Sequence, residues 1–233
     1  MAASRGSKRR RLKYGRRKRR QRSKFARRVK SLIMKTCETK HAHYLLENQQ
    51  LMHNLWDIRP SLLRTAQGLK DLDGDQAATD PPAIRDGDEL YLKNINVRLW
   101  LSTKGDRKNV MYRMVLFTYP TILPPTAGAL VYGGGGIGNN ILRRYNTDKI
   151  SILKHRLITL NSPIADNGKE TSHFVSMNFT CGSNWRIQYE AGGQAPKGKD
   201  VGFAIVAYDA YGTQQTDNIA SYAFDIKVAF KDP

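Results

Sequence analysis

Sixteen basic side chains and no acidic ones occupy the first thirty residues of the chain. They are Arg5, Lys8, Arg9, Arg10, Arg11, Lys13, Arg16, Arg17, Lys18, Arg19, Arg20, Arg22, Lys24, Arg27, Arg28 and Lys30. Arg outnumbers Lys in this set, and the planar guanidinium binds phosphate oxygens in pairs while keeping its charge. The pattern therefore predicts that this segment, called the arm below, binds a phosphate backbone.

The arm contains few side chains that could read a base sequence. Only Tyr14 and Phe25 could stack on bases, so we expect attraction to the backbone with little sequence selectivity. If about half of the charges meet single-strand phosphates, the slope of log affinity against log salt is roughly −6. The clusters Lys8–Arg11 and Arg16–Arg20 also fit a nuclear import signal. A merely solubilising tail is the alternative interpretation.

The positive charge of the chain is concentrated in the arm. The whole sequence has 39 Lys and Arg against 20 Asp and Glu, a formal net charge of +19. Without the sixteen basic residues of the arm, the chain has 39 − 16 = 23 basic and 20 acidic residues, an excess of +3. Such dense like charge cannot pack into a core, so we expect the arm to be disordered until a polyanion neutralises it. The sequence thus predicts an arm at residues 1–35 and a nearly neutral domain at residues 36–233.

Composition argues against several classes of protein. No window approaches the roughly 18–20 apolar residues of a membrane span, and the beginning of the sequence lacks the apolar core of a secretory signal. Cys37 and Cys181 form no CxxC pair, so neither a disulfide framework nor a zinc module is expected. These features predict a protein of the reducing cytosol or nucleus, without a membrane partner.

One amphipathic helix is predicted, where the arm meets the domain. Phe25, Val29, Leu32 and Ile33 follow the helical period among basic residues. Docking on the domain's own surface is the favoured interpretation. A helix that forms on nucleic acid and one that inserts into a membrane remain open.

After residue 35 the period changes from that of a helix to that of strands. In the run Ala220–Phe230, apolar residues alternate with others, as in a strand with one buried face, whereas Val201–Tyr211 is apolar almost throughout. The other predicted strands are Leu51–Ile58, Glu89–Ser102, Val110–Tyr119, Lys149–Leu160, Thr171–Thr180 and residues 185–190. Eight strands without long helices between them predict an all-β antiparallel sandwich or barrel.

Two connections between the predicted strands are unusually long. Pro60–Asp88 and Pro120–Asp148 each have 29 residues, whereas loops beyond roughly 12–15 residues are uncommon unless they are functional. We expect both loops to lie at contacts between subunits or on an outer surface. A sandwich with two such loops and a cationic arm suggests an assembly.

The remaining motifs have simpler interpretations. The glycine run at residues 133–138 satisfies GxGxxG but lies in a Pro-rich loop, so we interpret it as a flexible loop and expect no nucleotide cofactor. Asp71, Asp73 and Asp75 lack the Gly and Glu positions of a calcium loop, which leaves only a weak cation site open. Cys37, His41 and His43 lack an evident fourth ligand, so we expect no metal site. No nucleophile and base pair stands out, and we do not expect an enzyme.

Several segments resemble the capsid protein of circular Rep-encoding single-stranded DNA viruses, the circovirus-like group. The similarity begins with the arm and continues at Glu38–Lys40, Arg85–Ile95, Arg113–Phe117, Tyr145–Leu160 and Phe230–Pro233. His155 stands where the related pattern has an acid. The resemblance covers most of the chain.

This resemblance implies an eight-stranded antiparallel jelly roll. It also implies many identical subunits in a small icosahedral shell, with the arm inside on circular single-stranded DNA. Virion and host nucleus are the implied locations, with nuclear import receptors as further partners. Two other functions remain open: a cellular nuclear or ribosomal nucleic-acid-binding β-sandwich protein, and the coat protein of an RNA or satellite virus.

Overall fold

The computed structural model describes residues 25, 28–29, 32–33, 35–67, 83–107, 109–134, 138–161, 171–182, 185–210 and 214–232. It divides into two compact units, one that ends at Glu38 and one that comprises Thr39–Asp232. In the first unit the described residues from Phe25 to Thr36 are helical, in agreement with the predicted amphipathic helix. The surface on which that helix docks stays a prediction.

The second unit is built from strands. In chain order they are β1 Thr39–Met52, β2 Trp56–Arg59, β3 Thr65–Gln67, β4 Ala83–Arg85, β5 Glu89–Thr103, β6 Asn109–Pro120, β7 Ser151–Asn161, β8 Thr171–Thr180, β9 Arg186–Gln188, β10 Lys199–Asp209 and β11 Asn218–Lys231. One sheet has the order β1-β11-β5-β8, with β9 also paired to β5, and the other has the order β2-β10-β6-β7. Every pairing within these two sheets is antiparallel.

The strand order defines the topology. The eight strands on the two paths can be numbered one to eight along the chain: β1, β2, β5, β6, β7, β8, β10 and β11. One then pairs with eight, two with seven, three with six, and four with five. This is the order of one long hairpin rolled up, so that strand eight also meets three and seven also meets four. The domain is therefore an antiparallel jelly-roll sandwich, as predicted.

The main core lies between the two sheets. On β11 the buried side chains Tyr222, Phe224, Ile226 and Val228 alternate with partly exposed ones, which confirms the predicted period of two. They pack with buried residues of β5, β6 and β10 in one hydrophobic cluster. Sheets packed face to face lie about 10 Å apart, so each contributes one face of side chains to this core.

The four-stranded sheet is covered on its other face as well. Val115, Phe117 and Ala204 point away from the main core and pack with Leu130 and Val131 of the long loop Pro120–Asp148. This loop carries a single helical turn, Ala127–Leu130. The second core explains why β10 is buried along nearly its whole length, as its almost entirely apolar sequence predicted.

One buried arginine holds this loop on the sheet. The guanidinium of Arg113, on β6, lies 3.9 Å from the centre of the Tyr145 ring. Its Nη1 donates to the carbonyl oxygens of Asn140 at 2.7 Å, Ile141 at 3.1 Å and Arg143 at 2.6 Å. Hydrogen bonds from a charged donor are stronger than neutral ones, so the side chain of Arg113 fixes the loop through the loop's backbone carbonyls.

The strand prediction was wrong at the beginning of the domain. The predicted strand Leu51–Ile58 is divided between β1 and β2 by a turn in which Asn54 has a φ of 58°. The rest of β1 was not predicted, because only Ala42 and Leu51 of its fourteen residues are buried. This edge strand is held by backbone pairing with β11 and carries little hydrophobic alternation.

Candidate nucleic-acid interface

The basic residues of the arm lie almost entirely outside the described residues. Of the sixteen, only Arg28 is described, as an exposed helical residue. Asp71, Asp73 and Asp75 also lie outside the described residues. The role of the arm in binding nucleic acid and in nuclear import therefore stays a prediction.

Within the jelly-roll domain, the outer face of the five-stranded sheet is a polar surface. Four strands project side chains there, away from the main core, and form a shallow groove of about 740 Å³. Residues of this groove are Thr39, His41, His43, Lys93, Asn94, Asn96, Arg98, Asn178, Thr180, Cys181, Asp225, Lys227, Ala229 and Lys231. We call this surface the outer face.

Strand register arranges the outer face in rows across the sheet. One row consists of His43, Lys227, Asn96 and Asn178. The next row consists of Leu45, Asp225, Arg98 and Ser176. A third row brings together Ala223, Trp100 and Phe174. Two rows with cationic members thus lie beside a row that contains two aromatic side chains.

The outer face is cationic. Its groove contains four fixed positive charges, on Lys93, Arg98, Lys227 and Lys231, and the one carboxylate of Asp225, a balance of 4 − 1 = +3. The Asp225 carboxylate, on β11 and cross-strand from Arg98, lies 3.7 Å from Nδ1 of His43. Burial lowers the pKa of His41, and the positive charge of Lys227 lowers it further.

Two further cations line the edge of the same sheet. Lys154 Nζ donates to the carbonyl oxygen of Asn178 at 2.8 Å, and Arg156 Nη1 donates to that of Ser176 at 3.0 Å. Both come from β7 of the opposite sheet and satisfy acceptors on β8, which ends the β1-β11-β5-β8 path. Charged side chains on such an edge oppose pairing with another strand. They also extend the cationic rows beyond β8.

An aromatic pair stands exposed beside these rows. Trp100 is 52% exposed and Phe174 is 55% exposed, and the two are direct cross-strand partners on β5 and β8. Opposite Trp100 on its other side, β11 carries the small residue Ala223. The arrangement leaves aromatic surface open to solvent on a face that is mostly polar, although Leu45 is also exposed there.

The other candidate sites have structural interpretations. Burial raises the pKa of the Cys181 thiol to about 12, so this cysteine is not a reactive nucleophile. His41 and His43 lie on one face of β1, with ring centres 6.4 Å apart. In the described ranges no group of three His, Cys, Asp or Glu side chains is placed to hold a metal ion. Nor do these ranges contain a helix long and apolar enough to cross a membrane.

The glycine run contributes to the folding of the long loop. Gly133 has a φ of 67°, a conformation that favours glycine. A Cβ on Gly134 would overlap the backbone of Ala127, so the chain approaches the helical turn closely at this point. Residues 135–137 of the run lie outside the described residues.

The outer face could not be assembled from the sequence. Asp225 and Lys227 alternate with the apolar residues of the last predicted strand, but no sequence motif singles out Arg98, Trp100 or Phe174. In two predicted strands they occupy the alternate positions that face away from the core. This period of two is the sequence signal by which they could have been predicted. Which strands lie side by side depends on the jelly-roll order.

Comparisons with known proteins define the chain's relationships only loosely. No family model matches the sequence, and no curated protein matches it. The chain is similar to a structure of infectious bursal disease virus, Gx strain, at 9% identity and a TM-score of 0.24, over 82% of this chain and 32% of that chain. It is similar to the unassembled KI polyomavirus VP1 pentamer at 12% identity and a TM-score of 0.12, over 84% of this chain and 73% of that chain.

The chain thus spans about a third of the length of the first of these structures. At such TM-scores neither likeness bears on function. The strand order itself defines the class of fold, an antiparallel jelly-roll sandwich preceded in sequence by an arginine-rich segment.

Proposed function

We propose that this chain is a viral capsid protein that assembles into a small icosahedral shell and packages circular single-stranded DNA through its arm. The observation that supports this function best is the segregation of charge. Sixteen cations and no acid precede a jelly-roll domain, while the rest of the chain has an excess of only +3. A protein with this division presents one strongly cationic segment to a polyanion and a nearly neutral body to its neighbours.

In this proposal the partners are identical subunits, viral single-stranded DNA and host nuclear import receptors. The protein acts in the host nucleus during assembly and then in the virion. Its role is structural and involves no catalysis.

The energetics of packaging follow from many weak contacts. Each arm meets several phosphates, and linking many arms in one shell multiplies their effective concentration around the genome. Because these contacts release counterions, binding falls steeply with salt, with a slope of roughly −6 on logarithmic axes for each arm. Assembly on the genome should therefore weaken sharply as the salt concentration rises.

The long loop Pro120–Asp148 offers surface for contacts between subunits. It packs on its own sheet, yet Ile122 is 88% exposed and Leu142 is 79% exposed at its periphery. Burial of these apolar side chains against a neighbouring subunit would be favourable, because it removes apolar surface from water. We propose that they contribute to contacts in the shell.

Negative-stain microscopy of the full-length protein and of a variant lacking residues 2–30 tests this function. We expect uniform small spheres from the full-length protein, containing nucleic acid that DNase degrades only after the particles are opened. The deletion variant should keep the β-sheet circular dichroism spectrum but contain no nucleic acid.

A full-length protein that stays monomeric or dimeric under permissive conditions would refute the capsid function and favour a cellular binding protein. Packaged material that RNase but not DNase removes would refute the DNA genome. Normal packaging by the deletion variant would refute the role of the arm.

A further inference from the structure

We propose that the outer face of the five-stranded sheet is a second binding site for single-stranded nucleic acid, separate from the arm. Phosphates would lie along the cationic rows that contain Arg98 and Lys227, and bases would stack on Trp100 and Phe174. The identity of the polyanion as the packaged genome rests on the proposed function.

The outer face carries more positive than negative charge. The fixed charges of its groove give a balance of +3. Its one carboxylate, Asp225 on β11, is the cross-strand partner of Arg98 and lies 3.7 Å from Nδ1 of His43. On the β8 side, Lys154 and Arg156 add two further cations. A strip that continues from Lys227 across β5 to β7 is complementary to a backbone of phosphates.

The aromatic pair forms a contiguous exposed patch. Trp100 and Phe174 are both more than half exposed and are direct cross-strand partners. Contiguous apolar surface of this kind marks binding sites more often than single exposed apolar residues do. Every base has a flat π face, so aromatic side chains on a sheet bind single strands with little sequence selectivity. The cross-strand neighbour of Trp100 on β11 is the small Ala223, which adds little bulk beside the indole.

The spacing of the two rows suits a single strand. Arg98 and Trp100 are two residues apart on the same face of β5, which separates them by about 7 Å along the strand. The row of Arg98 and the aromatic row are therefore neighbours on β11, β5 and β8. Between the cations, Asn96 and Asn178 offer neutral donors and acceptors to sugars and bases. Cationic and aromatic side chains interleaved in this way characterise surfaces that bind single strands.

Photocrosslinking of the full-length protein locates the contact directly. Oligo-dT and oligo-U that carry 5-iodouracil would be irradiated with the protein, and crosslinked peptides would be identified by mass spectrometry. We expect crosslinks on β5 and β8 peptides containing Trp100 or Phe174, in addition to those on the arm. The double variant Trp100→Leu/Phe174→Leu should lose them and bind oligonucleotide at least about fivefold more weakly. The control Tyr132→Leu removes an aromatic residue that is 48% exposed in the long loop. It should change neither the crosslinks on β5 and β8 nor the affinity for oligonucleotide.

The salt dependence of binding tests the cations. Three phosphate contacts contribute about 0.7 each to the slope, so Arg98→Gln/Lys227→Gln/Arg156→Gln should reduce its magnitude by about 2. The matched control Arg144→Gln/Lys149→Gln/Lys197→Gln removes the same charge from exposed positions outside the outer face and should leave the slope unchanged.

Crosslinks confined to residues 1–30, with both the slope and the affinity unchanged in the variants, would overturn this inference and leave the proposed function intact. Variants that bind normally but no longer form particles would also overturn it, because the outer face would then be a contact between copies. Failure of the proposed function is recognised separately, by the absence of particles from the unmodified protein.

Discussion

The clearest energetic prediction concerns Arg113, the side chain that holds the loop Pro120–Asp148 on its sheet. Replacing it by Met keeps much of the aliphatic stem but removes the donors to three backbone carbonyls and to the Tyr145 hydroxyl. The bonds to Asn140 and Ile141 are buried, and a buried acceptor left without a donor costs about 1–3 kcal/mol. We therefore expect Arg113→Met to lower the free energy of unfolding by about 2–6 kcal/mol.

For a domain of this size, a loss of about 3 kcal/mol corresponds to a fall in Tm of roughly 6–12 °C. Denaturation in urea gives the total loss. Hydrogen exchange shows where it occurs, because the amides of Tyr132 and Asn146 are bonded within this loop. They should exchange faster in the variant, while those at the centre of β5 and β11 change less.

Arg144→Met is the matched control, because Arg144 is exposed in the same loop. It should change stability by no more than about 0.5 kcal/mol. If Arg113→Met unfolds like the unaltered protein and its loop amides stay protected, the assignment of Arg113 as the anchor of the loop is refuted.

Three further perturbations test other parts of the structure. A Cβ on Gly202 would lie 2.6 Å from the Phe117 ring, so Gly202→Ala should cost about 1–3 kcal/mol in urea denaturation, whereas Gly182→Ala, with open space around it, should cost far less. Burial lowers the pKa of His53 below 6.5 in the folded protein. As the pH falls, His53 is therefore protonated in the unfolded chain before it is protonated in the folded one. Stability should therefore fall as pH drops below about 6.5, and a smaller fall in His53→Gln, measured from pH 7.5 to 5.5, would check this. Leu142→Asp should leave the circular dichroism spectrum and Tm unchanged but reduce particle yield in microscopy, and normal particles would exclude this residue from the contacts.

Local patterns were sufficient for the strands that contribute most to the core. Alternation at Ala220–Phe230 and the almost entirely apolar run Val201–Tyr211 reflect burial on one face and on two faces, and the structure has β11 and β10 there. Most of the edge strand β1 was not predicted, because few of its side chains are buried. Its stability comes from backbone hydrogen bonds to β11, which leave no hydrophobic signature in the sequence.

The loop Pro120–Asp148 shows a second limit. Its length and composition indicated a functional loop, but they did not reveal that Leu130 and Val131 complete a second core or that Arg113 binds its carbonyls. These contacts join residues far apart in the chain, and a buried arginine looks like any surface arginine in a sequence. The burial of Arg113 follows from the packing of the loop on β6.

The two candidate interfaces differ in the same way. Charge density is a property of neighbouring residues, so sequence alone suffices to predict a cationic arm at residues 1–35 and its affinity for phosphate. The outer face combines Arg98, Phe174 and Lys227, which come from β5, β8 and β11. Backbone pairing in the jelly-roll order places these strands side by side, and that order is a property of the whole chain. Only the tertiary structure, therefore, could show that cations and aromatic side chains share one surface.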